Sequence, residues 1–292
     1  MNALGHFTSL QKSKVEEELF SAVTALEAPE SLKESMLYSL KAGGKRIRPL
    51  LLLAVMETFG NETEQGLKTA AALEMIHTYS LIHDDLPSMD DDDLRRGLPT
   101  NHKVYGEAVA ILSGDALLTK SFELVADSPF DDRSKVKIIS MLSKAAGAEG
   151  MVGGQVADIE GESMALSLEQ LESVHKRKTG KLLEFAAVAG GVISGLDEHE
   201  LNKLRLFAEH IGLAFQIRDD ILDIEGDEAE IGKPVGSDEG RQKSTYPAIL
   251  GMQSAKEKLD DHLYKARELL YELHNEPALL LELTDLIGSR KN

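Results

Sequence analysis

The 292-residue sequence contains no cysteine and no tryptophan, and only 5% of its residues are aromatic. The absence of cysteine excludes disulfide bonds and favours a reducing compartment. The N-terminal segment lacks the apolar run of a signal peptide. The longest apolar runs, Leu50–Met56 and Phe185–Leu196, are shorter than the ~20 residues that a membrane span requires. We therefore expect a soluble cytoplasmic protein without stable membrane insertion.

Positive charge is also scarce, because 32 Lys and Arg residues face 50 Asp and Glu residues, for a net charge of −18. This balance argues against nucleic acid as a partner, since a phosphate backbone requires a basic protein face. Part of the acidic charge is concentrated between Asp84 and Asp93. That run follows an apolar helical pattern in mid-chain, so a disordered acidic tail is not indicated.

The composition favours helices over strands. Hydrophobic residues reach 42%, enough for a sizeable core, and the abundant Ala, Leu, Glu and Lys are strong helix formers. Stretches of helical periodicity, such as Ala70 to His83 and Leu201 to Ile224, are separated by Gly and Pro clusters. Alternating strand patterns joined by hairpin turns are absent. We expect one all-α domain over residues 1–292, with helices surrounding a central cavity.

The first acidic motif is His83-Asp84-Asp85-Leu86-Pro87-Ser88-Met89-Asp90. Asp84 and Asp90 are six positions apart, which places them on different faces of an ideal helix. Pro87 disfavours helix in the preceding residue, so the chain can bend and return Asp90 to Asp84. Such carboxylates suit Mg²⁺, which takes one or two of them together with substrate phosphates. A solvated acidic loop is the alternative. An EF-hand is excluded, because the residues that its calcium loop requires are missing here.

The second acidic motif is Gln216-Ile217-Arg218-Asp219-Asp220-Ile221-Leu222-Asp223. Asp219 and Asp223 are spaced i,i+4 and share a helix face, with Gln216 about one turn earlier. Carboxylates in an apolar helix repel each other and are costly to bury unpaired, and a cation would remove that cost. One such motif on a surface helix would more often be without function. Two in one chain favour a metal site.

The third motif, Gly43–Pro49, reads Gly-Gly-Lys-Arg-Ile-Arg-Pro. Glycines and cations before a proline near a helix start predict an anion site, although a turn with solvated Lys and Arg is the alternative. Arg95 and Arg96 follow the acidic run, where arginine suits bidentate phosphate binding. Further candidate phosphate ligands precede Thr179 or lie in a Gly/Pro loop: Lys176, Arg177, Lys178 and Lys233.

These motifs together pose a chemical problem with one good solution. Two carboxylate clusters imply metal ions that hold one diphosphate. Separate Lys and Arg groups imply a second diphosphate that is bound without metal. An apolar helical interior implies substrates with apolar tails.

The chain resembles the trans-isoprenyl diphosphate synthases from about Leu40 to Pro247, through GGKRIRP, DDLPSMDDDDLRRG and FQIRDDILD. The first motif, with four residues between Asp85 and Asp90, is similar to that of bacterial farnesyl diphosphate synthases and plastid-type geranylgeranyl synthases. The resemblance implies an isoprenoid-synthase bundle of about ten helices and a homodimer. It also implies roughly two or three Mg²⁺ ions with the bound diphosphate.

The resemblance implies a role for each matching residue. Direct Mg²⁺ ligands would be Asp84, Asp90 and Asp219, with further carboxylates near the metal or bridging through water at Asp85, Asp220 and Asp223. Isopentenyl diphosphate would bind Lys45, Arg48, His77 and Arg96. The allylic diphosphate would bind Arg95, Lys178 and Lys233. Thr179 and Gln216 would line the reacting carbons, and Gln155 and Asp158 match a further substrate-binding motif. For His77 alone, a satisfied histidine on a helix face is the alternative.

The implied reaction is a head-to-tail condensation of isopentenyl diphosphate with an allylic diphosphate through a carbocation. Tyr79, the fifth residue before Asp84, lies about 7.5 Å below it along a helix. An ideal wheel turns Tyr79 about 140° away from Asp84, so geometry alone does not aim it at the growing tail. The resemblance implies that an aromatic residue here stops growth at farnesyl diphosphate, with Ser80 as a second chain-length position.

Several alternatives remain open on the sequence. A geranylgeranyl diphosphate synthase of the same family would share these motifs. A terpene cyclase needs no isopentenyl site, so the Gly43–Arg48 segment and the second acidic motif count against it. A regulatory subunit of a two-chain synthase would lack intact Asp motifs. A purely structural acidic bundle is the remaining possibility.

Overall fold

Helices form nearly all of the regular structure. A computed structural model describes residues 3–162, 164–226, 244–273 and 275–290. The elements are α1 (Ala3–Thr24), α2 (Glu30–Lys41), α3 (Ile47–Thr58), a 3₁₀ turn (Thr63–Gly66), α4 (Leu67–Asp84), β1 (Leu94–Arg95), β2 (Leu98–Pro99), α5 (Asn101–Tyr105), α6 (Glu107–Ala126), α7 (Asp132–Ala146), α8 (Met151–Gly161), α9 (Leu168–His175), a π-helical segment (Lys176–Gly180), α10 (Lys181–Ile193), α11 (Glu198–Glu225), α12 (Tyr246–Leu250), α13 (Met252–Tyr271) and α14 (Ala278–Ser289).

The all-α prediction is confirmed. The two periodic stretches, Ala70 to His83 and Leu201 to Ile224, lie inside α4 and α11. Helix α11 begins after Asp197, whose carboxylate accepts a hydrogen bond from the Glu200 amide at 2.9 Å and so satisfies one free amide of the first turn. No described helix combines the length and the apolar character that a membrane crossing needs.

The expectation that hairpins are absent was wrong at one place. β1 and β2 form an antiparallel hairpin whose two-residue turn is Arg96-Gly97. Both turn residues have positive φ, 54° and 76°, as the tight turn of a two-residue hairpin requires. Each strand has only two residues, which is too short for an alternating pattern to appear in the sequence.

The chain divides into two compact units. Unit 1 comprises Met1–Leu53 and Glu62–Ile139, and unit 2 comprises Ala54–Asn61 and Ser140–Asn292. In unit 1, α4 packs against α1, α2 and α6, and α6 also contacts α2 and α5. The α4 side chains Leu73, Met75 and Ile76 are fully buried in its core. The single domain expected over residues 1–292 stays a prediction.

Unit 2 is built around α11, which contacts α9, α10, α12, α13, α14 and the π-helical segment. Its core includes a cluster around Ile217, Ile221 and Tyr246. Helix α11 approaches the π-helical segment closely at Gly212, where a Cβ atom would lie 3.1 Å from the Gly180 Cα. The apolar face of α11 therefore supports the segments that carry the candidate residues of this unit.

Candidate active site

The first acidic motif begins where α4 ends. Asp84 is the last residue of the helix, and the Asp85 amide still donates to the carbonyl of Leu81 at 3.1 Å. The Asp90 amide then donates to the Asp84 carbonyl at 2.8 Å, so the chain has turned back across Pro87. The predicted bend is confirmed, and it places the backbones of Asp84 and Asp90 at the same end of the helix.

The Asp85 carboxylate is paired with Arg95. Asp85 is buried, and its Oδ1 accepts a hydrogen bond from Arg95 Nε at 2.8 Å. Arg95 also lies 3.6 Å from the Asp92 carboxylate. Burial raises the pKa of Asp85, and the Arg95 guanidinium opposes that rise. The pair ties the hairpin to the end of α4 and fixes the orientation of both side chains.

Arg96 links the hairpin to the Gly43–Pro49 motif. Its guanidinium donates to the Gly43 carbonyl and lies against Gly44, where a Cβ atom would be 2.7 Å from the Arg96 Cζ. Burial, followed by the charges of Arg48 and Arg96, holds the pKa of His77 well below its usual value. Arg48 and Arg96 thus contribute to the electrostatic environment of His77, and the binding of isopentenyl diphosphate by these residues stays a prediction. Lys45 lies on the same loop and is exposed.

Arg46, from the same motif, has a structural environment. Its side chain is fully buried and pairs with Glu74 at 2.7 Å and Glu16 at 3.2 Å. It also donates to the Leu40 carbonyl at 2.6 Å. The alternative of a turn with solvated Lys and Arg is therefore wrong for Arg46. This cation fastens the loop to α1 and α4, while Lys45 faces solvent.

Tyr79 is buried in α4, five residues before Asp84. Burial, followed by the charge of Asp84, raises the pKa of Tyr79 to about 12. The Tyr79 ring is buried and meets the His83 ring edge-on, with centroids 5.7 Å apart. The Ser80 hydroxyl donates to the His77 carbonyl at 2.9 Å. Helix α4 thus carries a buried aromatic ring between its apolar core residues and Asp84.

In unit 2, the π-helical segment Lys176–Gly180 carries Lys178 and Thr179. Lys178 Nζ lies 2.6 Å from the Asp158 carboxylate, so two candidates from separate motifs meet. Gly154 of α8 allows this contact, since a Cβ atom there would lie 2.3 Å from the Lys178 amide nitrogen. Thr179 is buried. Short π-helical segments are frequent at functional sites.

The neighbouring Gln155 also has a distinctive environment. Its Oε1 is buried and has no hydrogen-bond partner within the described ranges. Lys233, the other predicted cation of this unit, lies outside the described residues. Among the described residues of unit 2, Lys178 is therefore the one predicted ligand of the allylic diphosphate.

The second acidic motif gives its three carboxylates different environments. Asp219 is half exposed and pairs with Arg290 at 2.7 Å. Asp220 is buried and accepts a hydrogen bond from the Tyr246 amide at 2.9 Å, which anchors the start of α12. Asp223 is also buried. Asp219 is therefore the most accessible of the three for a ligand from solution.

Sequence reasoning missed Arg290 and His175. The Arg290 guanidinium lies 3.6 Å over the Phe215 ring, and its carbonyl accepts from Arg218 Nε at 2.9 Å. The His175 ring stacks on Tyr246 with centroids 5.8 Å apart, and its Nδ1 lies 3.5 Å from Gln216 Nε2. No motif surrounds Arg290 near the end of the sequence, so no local signal pointed to it.

The carboxylates suit a metal that is shared with substrate. Within the described ranges no three Asp, Glu or His side chains converge as a ready-made metal site. Magnesium does not require one, because it commonly takes one or two carboxylates and completes its shell with phosphate oxygens and water. Asp84 and Asp90, joined by the turn, match that donor chemistry in unit 1, and the half-exposed Asp219 matches it in unit 2. The residues present therefore fit magnesium bound with a diphosphate.

Fold and site define an all-helical protein whose carboxylate and cationic clusters suit diphosphates. The chain belongs to the polyprenyl synthetase family, whose model matches residues 29–274. It is 53% identical to the farnesyl diphosphate synthase of Bacillus subtilis, over 99% of each chain. It is 46% identical to a chloroplastic geranylgeranyl pyrophosphate synthase of Catharanthus roseus, over 96% of this chain and 79% of that one. The solved apo structure of an FPP/GFPP synthase from Zymomonas mobilis is similar, with a TM-score of 0.86 and 33% identity over 98% of this chain and 100% of that one.

Proposed function

We propose that this protein is a farnesyl diphosphate synthase. It joins isopentenyl diphosphate head to tail to dimethylallyl and then geranyl diphosphate, releasing pyrophosphate at each step. The observation that carries the proposal is the end of α4, where Asp90 folds back onto Asp84 and a buried Tyr79 lies about 7.5 Å earlier along the helix. That arrangement suits a diphosphate at the carboxylates and a hydrocarbon tail that ends at the aromatic ring.

Magnesium would be held by Asp84, Asp90 and Asp219, with Asp85, Asp220 and Asp223 in supporting positions. When bound, it stabilises the negative charge of the departing diphosphate. Asp85 and Asp220 each accept a hydrogen bond from the protein, at 2.8 and 2.9 Å, so they support the motifs through the chain itself.

Each set of phosphate-binding residues would bind one substrate. Lys45, Arg48, His77 and Arg96 bind isopentenyl diphosphate, and Arg95, Lys178 and Lys233 bind the allylic diphosphate. The lowered pKa of His77 leaves a neutral imidazole that can donate one hydrogen bond to a phosphate oxygen. Arginine is suited to the remaining contacts, because its planar fork matches phosphate geometry.

Three bond changes complete the proposed reaction. The allylic carbon–oxygen bond breaks, and the electron pair leaves with the diphosphate. The terminal alkene carbon of isopentenyl diphosphate attacks the allylic cation, and the released pyrophosphate takes the proton that is then lost. Thr179, which is buried, and Gln216 supply oxygen dipoles that stabilise the cation. Exclusion of water prevents quenching of the cation.

The proposal includes a homodimer in the cytoplasm. Helix α6 exposes the adjacent apolar residues Ile111 and Leu112 by 43% and 57%, and burial of such side chains would favour a protein–protein contact. A second copy of the chain would cover it. Sedimentation of the purified protein gives the oligomeric state directly, and a monomer at assay concentration would contradict this part of the proposal.

Purified enzyme with isopentenyl and dimethylallyl diphosphate should give farnesyl diphosphate only when Mg²⁺ is present. Asp84→Ala and Asp219→Ala should each lower kcat by about 10³ or more, as expected for loss of strong electrostatic stabilisation. The matched control is Asp261→Ala, because the Asp261 carboxylate of α13 is 43% exposed, Asp219 is 44% exposed, and both have a cationic partner. Full activity in EDTA, or equal losses in the control, would contradict the proposal.

Chain length gives an independent test of the product. Tyr79→Ala should remove the floor and shift the product to geranylgeranyl diphosphate or longer, because a longer tail occupies the space left by the ring. Tyr79→Phe keeps the ring and should keep farnesyl diphosphate as the main product. Gas chromatography of the dephosphorylated products measures both. A wild-type protein that makes mainly geranylgeranyl diphosphate, or a cyclised hydrocarbon, would favour the corresponding alternative enzyme.

A further inference from the structure

The contact between α4 and α6 contains one glycine position where any side chain would displace a residue of α4. Gly114 is the single glycine of α6, and a Cβ atom there would lie 2.1 Å from His83 Nε2 and 2.6 Å from its Cδ2. Both distances are far below van der Waals contact. Glycine inside a helix is destabilising relative to alanine, so its presence in α6 calls for a packing reason. The His83 ring supplies that reason, since its tip points directly at the α6 backbone.

His83 is held at this place by α6. Its Nε2 lies 3.1 Å from the Ile111 carbonyl, which can only accept, so Nε2 carries the proton and donates. The Asp115 carboxylate lies 4.0 Å from the same nitrogen. Ile111, about one helical turn before Gly114, and Asp115, directly after it, therefore hold the imidazole from the side of α6. Because Gly114 has no side chain, the His83 ring can occupy this place. The hydrogen bond to α6 then limits the rotation of the ring.

The opposite side of the His83 ring faces Tyr79. The two ring planes meet at 75° with centroids 5.7 Å apart, an edge-to-face pair one helical turn apart on α4. Such edge-to-face pairs are favourable beyond the area that they bury, so each ring limits the orientation of the other. The position of the Tyr79 ring is thus connected, through His83, to the glycine on α6.

We propose that Gly114 and His83 are specificity-determining positions that set product chain length by fixing the Tyr79 ring. The inference rests on the proposed function, because it requires Tyr79 to be the floor of the tail cavity. Gly114 provides the space, His83 fills it and supports the ring edge-on, and Tyr79 meets the end of the tail. Neither Gly114 nor His83 need touch the substrate, so both are positioning residues.

The test measures the ratio of geranylgeranyl to farnesyl product in Gly114→Ala, His83→Ala and the double variant. Gly114→Ala should force His83 from its rotamer, and His83→Ala should remove the support without any clash. We expect the ratio to rise about tenfold in each, the lower end of what one apolar contact contributes to discrimination. The double variant should rise no further than either single variant, because both changes break the same connection.

A matched control separates specificity from stability. Val125→Ala truncates a fully buried side chain on the same helix, about 16 Å from Gly114 at 1.5 Å per residue. It should lower the thermal unfolding temperature, measured for every variant, and leave the product ratio unchanged. An unchanged ratio in His83→Ala, or independent increments that add in the double variant, would overturn the inference. If Tyr79→Ala also left the ratio unchanged, or wild type made no farnesyl product, the proposed function itself would fail instead.

Discussion

Neighbouring cations of one short motif have different roles at the residue scale. Lys45 and Arg46 are adjacent, yet Lys45 is exposed and Arg46 is buried between two glutamates. A buried guanidinium needs its partners, because removing one side of such a pair leaves an unpaired charge in a poorly polarisable surrounding. A motif that suits phosphate binding therefore also contains a residue that holds the motif in place.

Arg46→Ala should destabilise the fold by about 3–5 kcal/mol, since it leaves the buried Glu74 carboxylate without its partner. Lys45→Ala is the matched change one position earlier, and it should leave stability within about 0.5 kcal/mol while raising KM for isopentenyl diphosphate. Urea denaturation and steady-state kinetics measure the two effects. Equal stability in both variants would mean that the Arg46 pair contributes little.

At the scale of the elements, close contacts between backbones determine where neighbouring segments lie. Helix α8 meets the π-helical segment at Gly154, where the nearest atoms are the Lys178 backbone itself. Backbone cannot rotate away as a side chain can, so a methyl group there must displace the whole segment. The same segment carries Thr179 and the Lys178 that pairs with Asp158. Its position therefore determines where two candidate site residues lie.

Gly154→Ala should lower kcat by displacing Lys178 and Thr179, and it should cost about 1–3 kcal/mol of stability through overpacking. Gly180→Ala changes a glycine of the same segment, but its Cβ would meet only the His175 carbonyl at 3.5 Å, an ordinary contact. The control should retain most of its activity. Single-turnover kinetics report the chemical step directly. A fully active Gly154→Ala enzyme would show that the segment tolerates displacement.

At the scale of the whole molecule, the two units carry separate sets of charges. The residues proposed to bind isopentenyl diphosphate belong to unit 1, and Lys178 with Asp158 belongs to unit 2: Lys45, Arg48, His77 and Arg96 form the first set. The net charge of −18 makes these cationic regions exceptions on an acidic protein. Anionic substrates are attracted to such local regions even when the whole molecule repels them.

Variants in the two units should affect different substrates. Lys45→Ala or Arg48→Ala should mainly raise KM for isopentenyl diphosphate, and Lys178→Ala should mainly raise KM for the allylic diphosphate. Each cation contacts one diphosphate, so the loss of binding should be selective. The control is Lys265→Ala, an exposed lysine of α13 paired with Asp261. Matching effects on both substrates in all variants would show that the assignment of the cations is wrong.

The local conformation of the candidate site could be predicted from the sequence. Periodic apolar residues placed α4 and α11, and Pro87 predicted the turn that joins Asp90 to Asp84. These features depend on residues a few positions apart, whose steric and hydrophobic preferences act within one segment. Motif order, which the sequence also contains, was sufficient to recognise the family.

The partners of the site residues were decided only by the tertiary structure. Arg290 reaches Asp219 from 71 positions away, and His83 meets Gly114 across two helices. The sequence does not show whether Arg46 is solvated or buried, and the structure buries it. The strands of the hairpin have two residues each, too few for a periodic pattern in the sequence. Such contacts depend on how distant elements pack, and packing selects one partner among many residues of similar chemistry. The sequence determined the elements and the chemistry of their side chains, while packing between elements determined which side chains meet.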